Sequence, residues 1–337
     1  MRVVMLGTGT YAVPLLEGLY ASSHEVPAVV TRPERKKNKR GSLPPSPMRE
    51  RADLEGTPVF APDDINAESS HTLLKDLQPD LFMVCDYGQI LSPATLSLAP
   101  RGGLNLHASL LPKYRGAAPI HWAIYHGESQ TGNTVIQMNA GVDAGPIVAQ
   151  QTTRIEASET TVQLEKRLAK LGSDLIVATI DQLARGELQP ATQAVEKMTR
   201  APKLQKEDGQ INWNRSAEAI HNQIRAMVPW PKSFTYYLSG AGPPLRLIIE
   251  GTSVFLMEAA SQSYVLATMK NPGTVLLAER DCLFVQTGDG VLQIDQLQPA
   301  GKKVMSASAF LRGYRVQSGD QLGPLPDPSS EPPPTKR

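Results

Sequence analysis

The run Asn105-Leu106-His107-Ala108-Ser109-Leu110-Leu111-Pro112, continued by Lys113-Tyr114-Arg115-Gly116-Ala117-Ala118-Pro119, decides how this chain is read. It sets an amide and an imidazole two residues apart at the end of a strand-like segment. Side chains two apart in a strand point to the same side. A polar pair aimed one way from the carboxyl end of a strand is where open α/β sheets hold their chemistry.

Working outward, other apolar runs read as strands at Val3 to Leu6, Val26 to Val30, Leu81 to Cys85 and Thr134 to Met138. Helical patterns lie between them at Val13 to Tyr20, Ser70 to Leu77 and Ile120 to Tyr125. Strands spaced by helices predict βαβ units and a mostly parallel sheet. A long helix follows, roughly Thr160 to Arg185, with leucines at helical spacing and threonines at its start. The stretch from 190 to 207 is polar, carries Pro190 and Pro202, and reads as a linker. A helix at Ser216 to Met227 then precedes strand patterns at Phe234 to Leu238, Leu245 to Ile249, Ser253 to Glu258, Gly273 to Leu277, Leu283 to Thr287 and Val291 to Leu297. Short strands punctuated by Gly and Pro predict a small β-barrel. Six prolines in Pro324 to Pro334 predict a disordered tail over 319–337. The domains expected are therefore 1–189, a linker 190–207, 208–318 and the tail.

At 337 residues the chain is long enough for two domains, and its 41% apolar content is that of a globular protein. No run approaches a membrane span, and the N-terminus enters a strand pattern directly, so a cytoplasmic protein is expected. The two cysteines, Cys85 and Cys282, read as buried free thiols. A net charge of +1 singles out no partner, but its distribution does. Arg32, Arg35, Lys36, Lys37, Lys39 and Arg40 crowd together, opposed only by Glu34. Such a block is either a solvated surface loop or an arm that seeks phosphates.

Gly7-Thr8-Gly9-Thr10-Tyr11-Ala12 stands where the first strand turns into a helix. It fits a glycine-rich dinucleotide turn, but the second strand ends Val30-Thr31-Arg32, without the acid that holds a ribose. An NADP enzyme stays open on Arg32; a plain tight turn is the preferred reading. The 105–119 run is more specific. Asn105 can donate an amide N–H to a carbonyl oxygen that gains charge, and His107 can exchange a proton near neutral pH. Asp143, in Gly141-Val142-Asp143-Ala144-Gly145, adds a carboxylate from a second candidate strand end that would orient the imidazole. By itself it would read as a turn aspartate. No metal-ligand spacing occurs: His121 and His126, five apart, do not share a helix face well.

With these residues in view, the chain resembles the methionyl-tRNA formyltransferases, a branch of the folate-dependent formyltransferase family. The likeness covers nearly the whole chain: the N-L-H-A-S-L-L-P-K-Y-R-G-A-A-P run, M-N-A-G-V-D-A-G-P-I at 138–147, P-W-P at 229–231 and L-Q-P-A-G-K-K-V-M-S-A at 297–307. The resemblance implies a Rossmann-like domain followed by an OB-like barrel. It implies formyl transfer from 10-formyltetrahydrofolate to the amino group of methionyl initiator tRNA; a monomer is expected, and the absence of ligand spacing leaves no metal to expect. The resemblance puts the catalytic trio on Asn105, His107 and Asp143. The folate pocket is implied at Asp86, Tyr87, Gly88, Gln89, Ile90, Ser109, Leu110, Leu111 and Pro112, with a cis Leu111–Pro112 bond. The tRNA grip is implied at Arg35, Lys36, Lys37, Lys39 and Arg40, with further cations from Arg200 to Arg315 continuing it.

Two departures stand out. The family pattern has G-T-P, an acid and an aromatic after the first strand, where this chain has Gly9, Thr10 and Tyr11. It has alanine before Tyr-Gly in the 85–89 loop, where this chain has Asp86. If Asp86 faces the ligand, folate affinity or its pH dependence is expected to differ. The rival readings are a formyltransferase for an amino sugar on a nucleotide, a smaller glycinamide-ribonucleotide transformylase, and an RNA-binding protein without turnover.

Overall fold

The computed structural model describes residues 1–33, 45–239, 242–255 and 271–325. Arg35, Lys36, Lys37, Lys39 and Arg40 lie outside them, as does the proline-rich end from 326 on. The chain divides into two compact units. The first comprises 1–123, 129–157 and 162–203; the second takes 124–128, 158–161 and the chain from 204 on.

The strands of the first unit are β1 (Val3–Leu6), β2 (Val29–Val30), β3 (Val59–Phe60), β4 (Leu81–Val84), β5 (Gly103–His107), β6 (Arg115–Gly116), β7 (Gln130–Gln137), β8 (Ile147–Arg154) and β9 (Arg200–Ala201). Its helices are α1 (Val13–Tyr20), α2 (Pro47–Glu55), α3 (Glu68–Asp76), α4 (Pro93–Leu96), α5 (Pro119–Tyr125) and α6 (Thr161–Arg185). The main sheet runs β3-β2-β1-β4-β5-β7-β8, parallel through β5 and antiparallel beyond it. β1 and β4 are buried along their whole length, which is why they read as unbroken apolar runs. Each large side chain there, such as Met5, Leu6 or Phe82, contributes roughly 1.5–3 kcal/mol by leaving water. Strand order reverses between β1 and β4, which opens a crevice at their carboxyl ends.

The stretch expected to be a featureless linker is tied down. β9 pairs with β6, Ala191 exchanges two backbone hydrogen bonds with Ile147 of β8, and Gln193 is buried. The sequence reading has no counterpart for α2, which starts on Pro47 with Ser46 accepting from the Arg49 N–H, for the short α4, or for the strands β3, β6, β8 and β9.

In the second unit, α7 (Ala217–Ala226) is capped by Ser216, whose hydroxyl accepts from the Ala219 N–H. An antiparallel sheet follows, made of β10 (Ser233–Leu238), β11 (Leu245–Phe255), β12 (Val275–Glu279), β13 (Cys282–Gln286), β14 (Val291–Pro299), β15 (Met305–Ser306) and β16 (Gln321–Gly323). α8 (Ala307–Gly313) precedes β16. The sheet curls until its two ends meet: Thr274, just before β12, bridges to Gln321 of β16, and the Leu322 N–H donates to the Gly273 carbonyl at 2.7 Å. Trp213, Ile220, Leu297 and Phe310 fill the core it encloses.

β11 joins two stretches expected to be separate strands, because a register irregularity around Gly251 lets one strand bend and continue. β16 lies in the stretch expected to be disordered. Gln321-Leu322-Gly323 has no proline, so its N–H groups can pair with β10, and Leu322 enters the core. Cys85 is buried and free, but Cys282 is only half-buried, beside Asp281.

Candidate active site

A cleft of about 520 Å³ opens at the carboxyl ends of the central strands of the first unit. Asn105 and His107 reach it from β5, as their shared strand face requires. Asp143 reaches it from the loop that joins β7 to β8. Asp143 Oδ1 lies 3.5 Å from Asn105 Nδ2, and Asp143 Oδ2 lies 3.6 Å from His107 Nδ1. The same Oδ2 accepts the Gly116 backbone N–H at 2.9 Å. The three side chains drawn from distant parts of the sequence therefore converge.

The histidine is held in one sense. His107 Nε2 lies 2.8 Å from the Tyr114 carbonyl oxygen. A carbonyl only accepts, so Nε2 carries the proton and Nδ1 is the nitrogen turned to Asp143. The loop that brings Tyr114 back is pinned from within: Ser109 Oγ donates to the Lys113 carbonyl, Thr134 Oγ1 to the Ser109 carbonyl, and the Leu111 N–H to Thr134 Oγ1. The Leu111–Pro112 bond is cis. Tyr114 (φ 63°) and Asp143 (φ 50°) both sit in the left-handed region, which aspartate tolerates better than most residues. Gly116 has φ 129°, and a Cβ on it would lie 2.4 Å from the Ala201 carbonyl oxygen. Only glycine lets that N–H approach the carboxylate.

The loops after β1 and β4 supply another wall of the cleft. Asp86, at φ 48°, turns its carboxylate toward Gly9, where a Cβ would lie 1.8 Å from Oδ2. Its carboxyl is pushed up to about 6, first because the surrounding protein takes away part of its water, then because Glu165 repels it. Arg32 and the Gly9 backbone act the other way. Glu165 projects from α6 into the same cleft and accepts from Thr10 Oγ1 at 3.0 Å. Tyr11 is buried beside them, its hydroxyl donating to Asn133 Oδ1, and burial pushes its phenol up. His121 of α5 also lines the cleft; burial pushes its imidazole down to about 4, so it is neutral at neutral pH.

The sequence-predicted folate residues divide in two. Asp86, Tyr87, Gly88, Gln89 and Ile90 line the cleft. The Gln89 side chain turns back to bond the Ile65 N–H and the Pro62 carbonyl, leaving its backbone for the cleft. Ser109, Leu110, Leu111 and Pro112 are not brought to the wall: Ser109 and Leu111 are buried in the loop packing that holds Tyr114. The cleft instead uses Ala117 to His121, at and just past the end of the first motif, and Met138 to Val142, at the start of the second. Tyr11 and Glu165 were missed, since neither carries a local signal.

Two family models match the chain: "Formyl transferase" over residues 1–180 and "Formyl transferase, C-terminal domain" over 203–315. They define the class as a formyl transferase of two parts, and solved structures share the fold. A sugar 3N-formyl transferase, WlaRD, solved in the presence of dTDP and 5-N-formyl-THF, superposes with a TM-score of 0.62 at 16% identity, covering 90% of this chain and 99% of its own. The N-formyltransferase of Helicobacter canadensis superposes equally, at 17% identity over 87% of this chain and 98% of its own. The methionyl-tRNA formyltransferase of Citrifermentans bemidjiense is 40% identical over 323 residues, 96% of each chain. That of Rhodopirellula baltica is 40% identical over 333 residues, again 96% of each. The chain belongs to the methionyl-tRNA formyltransferase family.

Proposed function

We propose that this protein transfers the formyl group of 10-formyltetrahydrofolate to the α-amino group of methionyl initiator tRNA, yielding formylmethionyl-tRNA for translation initiation. The observation that carries the chemistry is the convergence of Asn105, His107 and Asp143 on one cleft. Near-complete coverage of relatives at 40% identity supports the substrate pair.

The cleft is large enough for a folded-over ring system and its tail, with apolar walls and a few polar groups. The 86–90 loop would hold the donor. The acceptor amine attacks the formyl carbon directly, so no enzyme nucleophile is required, and the first task is orientation. A new C–N bond forms, the carbonyl oxygen gains negative charge, and the old C–N bond then breaks. Asn105 Nδ2 donates to that oxygen. His107 in its protonated form joins it through the Nδ1–H, the one ring N–H not committed to the Tyr114 carbonyl, passes that proton to the leaving nitrogen, and is reprotonated by the proton that Asp143 takes from the amine. Asp143, held by the Gly116 N–H, holds the ring in place and takes the amine's proton through water.

The basic loop at 35–40 lies outside the described residues. The reading gives it the tRNA backbone as partner, with a monomer acting in the cytoplasm. Among the described residues no helix is long and apolar enough to cross a membrane. Incubating the protein with 10-formyltetrahydrofolate and methionylated initiator tRNA should release N-formylmethionine after hydrolysis. Formylation of an amino sugar nucleotide instead would move the protein to the rival branch. Arg35→Ala, Lys36→Ala and Arg40→Ala combined should raise the tRNA KM and flatten its salt dependence, because each lost phosphate contact lowers the slope of log K against log salt by about 1. An unchanged slope would leave this loop as solvated surface.

A further inference from the structure

Gln193 is 5% exposed in the stretch that the sequence marks only as polar. Its side-chain amide makes four hydrogen bonds. Nε2 donates to the Asp143 carbonyl at 2.9 Å and the Gly145 carbonyl at 2.7 Å. Oε1 accepts from Arg115 Nε at 3.0 Å and Nη2 at 2.6 Å. Both N–H groups and both lone pairs are used, so the amide has one orientation: flipped, it would set oxygen against two carbonyls and NH₂ against a guanidinium.

These bonds close a ring around Asp143. Gln193 grips the backbone of Asp143, whose carboxylate accepts from the Gly116 N–H, and Gly116 follows Arg115, whose side chain returns to Gln193. Asp143 needs such support because its φ of 50° lies in the left-handed region. The Gln193 segment has its own anchor in the paired backbone bonds between Ala191 and Ile147, so the strand pairing does not depend on the amide.

We propose that Gln193 is a positioning residue for formyl transfer: its amide fixes the Asp143 peptide so that the carboxylate stands beside Asn105 and His107. The proposal rests on the reading of Asp143 as part of the reacting trio. Gln193→Glu is the informative variant. It keeps an acceptor for Arg115 and the same volume, but loses both donors to the Asp143 loop.

The experiment measures kcat and both KM values for wild type, Gln193→Glu, Asp143→Asn and the double variant, with Gln193→Met as a neutral second probe should the glutamate variant not fold. Gln193→Glu should lower kcat about 10- to 100-fold, the scale of a small misplacement of a catalytic group. Both KM values should stay within about twofold, since a residue acting only on the reacting geometry leaves ground-state binding alone. On the Asp143→Asn background the same change should cost less than about twofold, because the group being positioned is already lost. If Gln193→Glu keeps wild-type kcat while Asp143→Asn loses it, the proposal falls and the trio stands. An undiminished loss on the Asp143→Asn background also overturns it. Full turnover by Asp143→Asn overturns the trio and the proposal together.

Discussion

One wall of the cleft carries Asn105, His107 and Asp143 in the motifs on which the family likeness rests; another carries Tyr11 and Asp86, and behind it Gly9 and Thr10 stand with Asp86 as the places where this chain departs from the family pattern. The departures on the second wall adjoin one another. The carboxylate of Asp86 occupies the space that a side chain at position 9 would need, and Thr10 bonds the Glu165 that faces Asp86. On the proposed reading the trio meets one reacting carbon, so each atom's place is set by the chemistry. The Gly9–Asp86 corner sits at the strand-order reversal, where two loops have to fill one space between them. There, a change in one loop can be matched by a change in the other.

The largest effect is expected on the first wall. Asn105→Ala, His107→Ala and Asp143→Ala should each lower turnover at least ~100-fold, the scale of losing one transition-state donor, in a single-turnover formyl transfer assay. Folding should survive, since all three line an open cleft. Near wild-type turnover by His107→Ala would remove the contrast between the walls, because neither would then be bound by the chemistry.

The second wall should respond to pairs. Gly9→Ala places a Cβ against Asp86 Oδ2, the far end of a short side chain that can swing away by giving up its hydrogen bond with the Gly9 backbone. The cost should be modest, about 1 kcal/mol in denaturant unfolding. Asp86→Ala removes the obstacle, so on that background Gly9→Ala should cost almost nothing, a coupling of nearly the full single-variant loss. Additive losses would mean that the two departures only happen to be neighbours.

How far the sequence carried the reading follows the same division. β1, β4 and β5 were legible because buried central strands leave continuous apolar runs, and the Asn105–His107 spacing showed that both side chains share a face. β8 was not, because Gln150, Gln151, Thr152 and Thr153 on an edge strand of the sheet give no apolar alternation. β3 has two residues, too few for a period. α2 buries only Met48 and Ala52, so it leaves no apolar period, and its one signal is the Ser46-Pro47 start. Gln193 and Glu165 are single polar residues whose meaning lies in what they touch, Asp143 and Thr10, far away in sequence. Asp86 was visible as a departure, but its direction depends on Gly9, which only the fold brings to it.

The smallest effect concerns the charge on Asp86. Its carboxyl titrates at about 6 in the folded chain, above the ordinary aspartate value near 3.8. The unfolded chain therefore releases this proton first, and the folded chain binds more protons between those two values. Stability from this group falls as pH rises through that interval and stays at its lower level above about 6. Asp86→Asn keeps the shape and removes the titration, so the variant should unfold at a higher temperature than wild type at pH 7.5, with the gap narrowing toward pH 4. The size should be roughly 1 kcal/mol or less, because the residue is open to solvent through the cleft, and water screens the penalty. The donor KM provides a second reading: if the carboxylate faces the bound folate, the wild-type KM should bend near pH 6 while that of Asp86→Asn stays flat over the same range. A gap in unfolding temperature that does not change with pH would show that the departure at position 86 acts through shape alone, and the corner with Gly9 would then differ from the wall of Asn105, His107 and Asp143 in packing and not in charge.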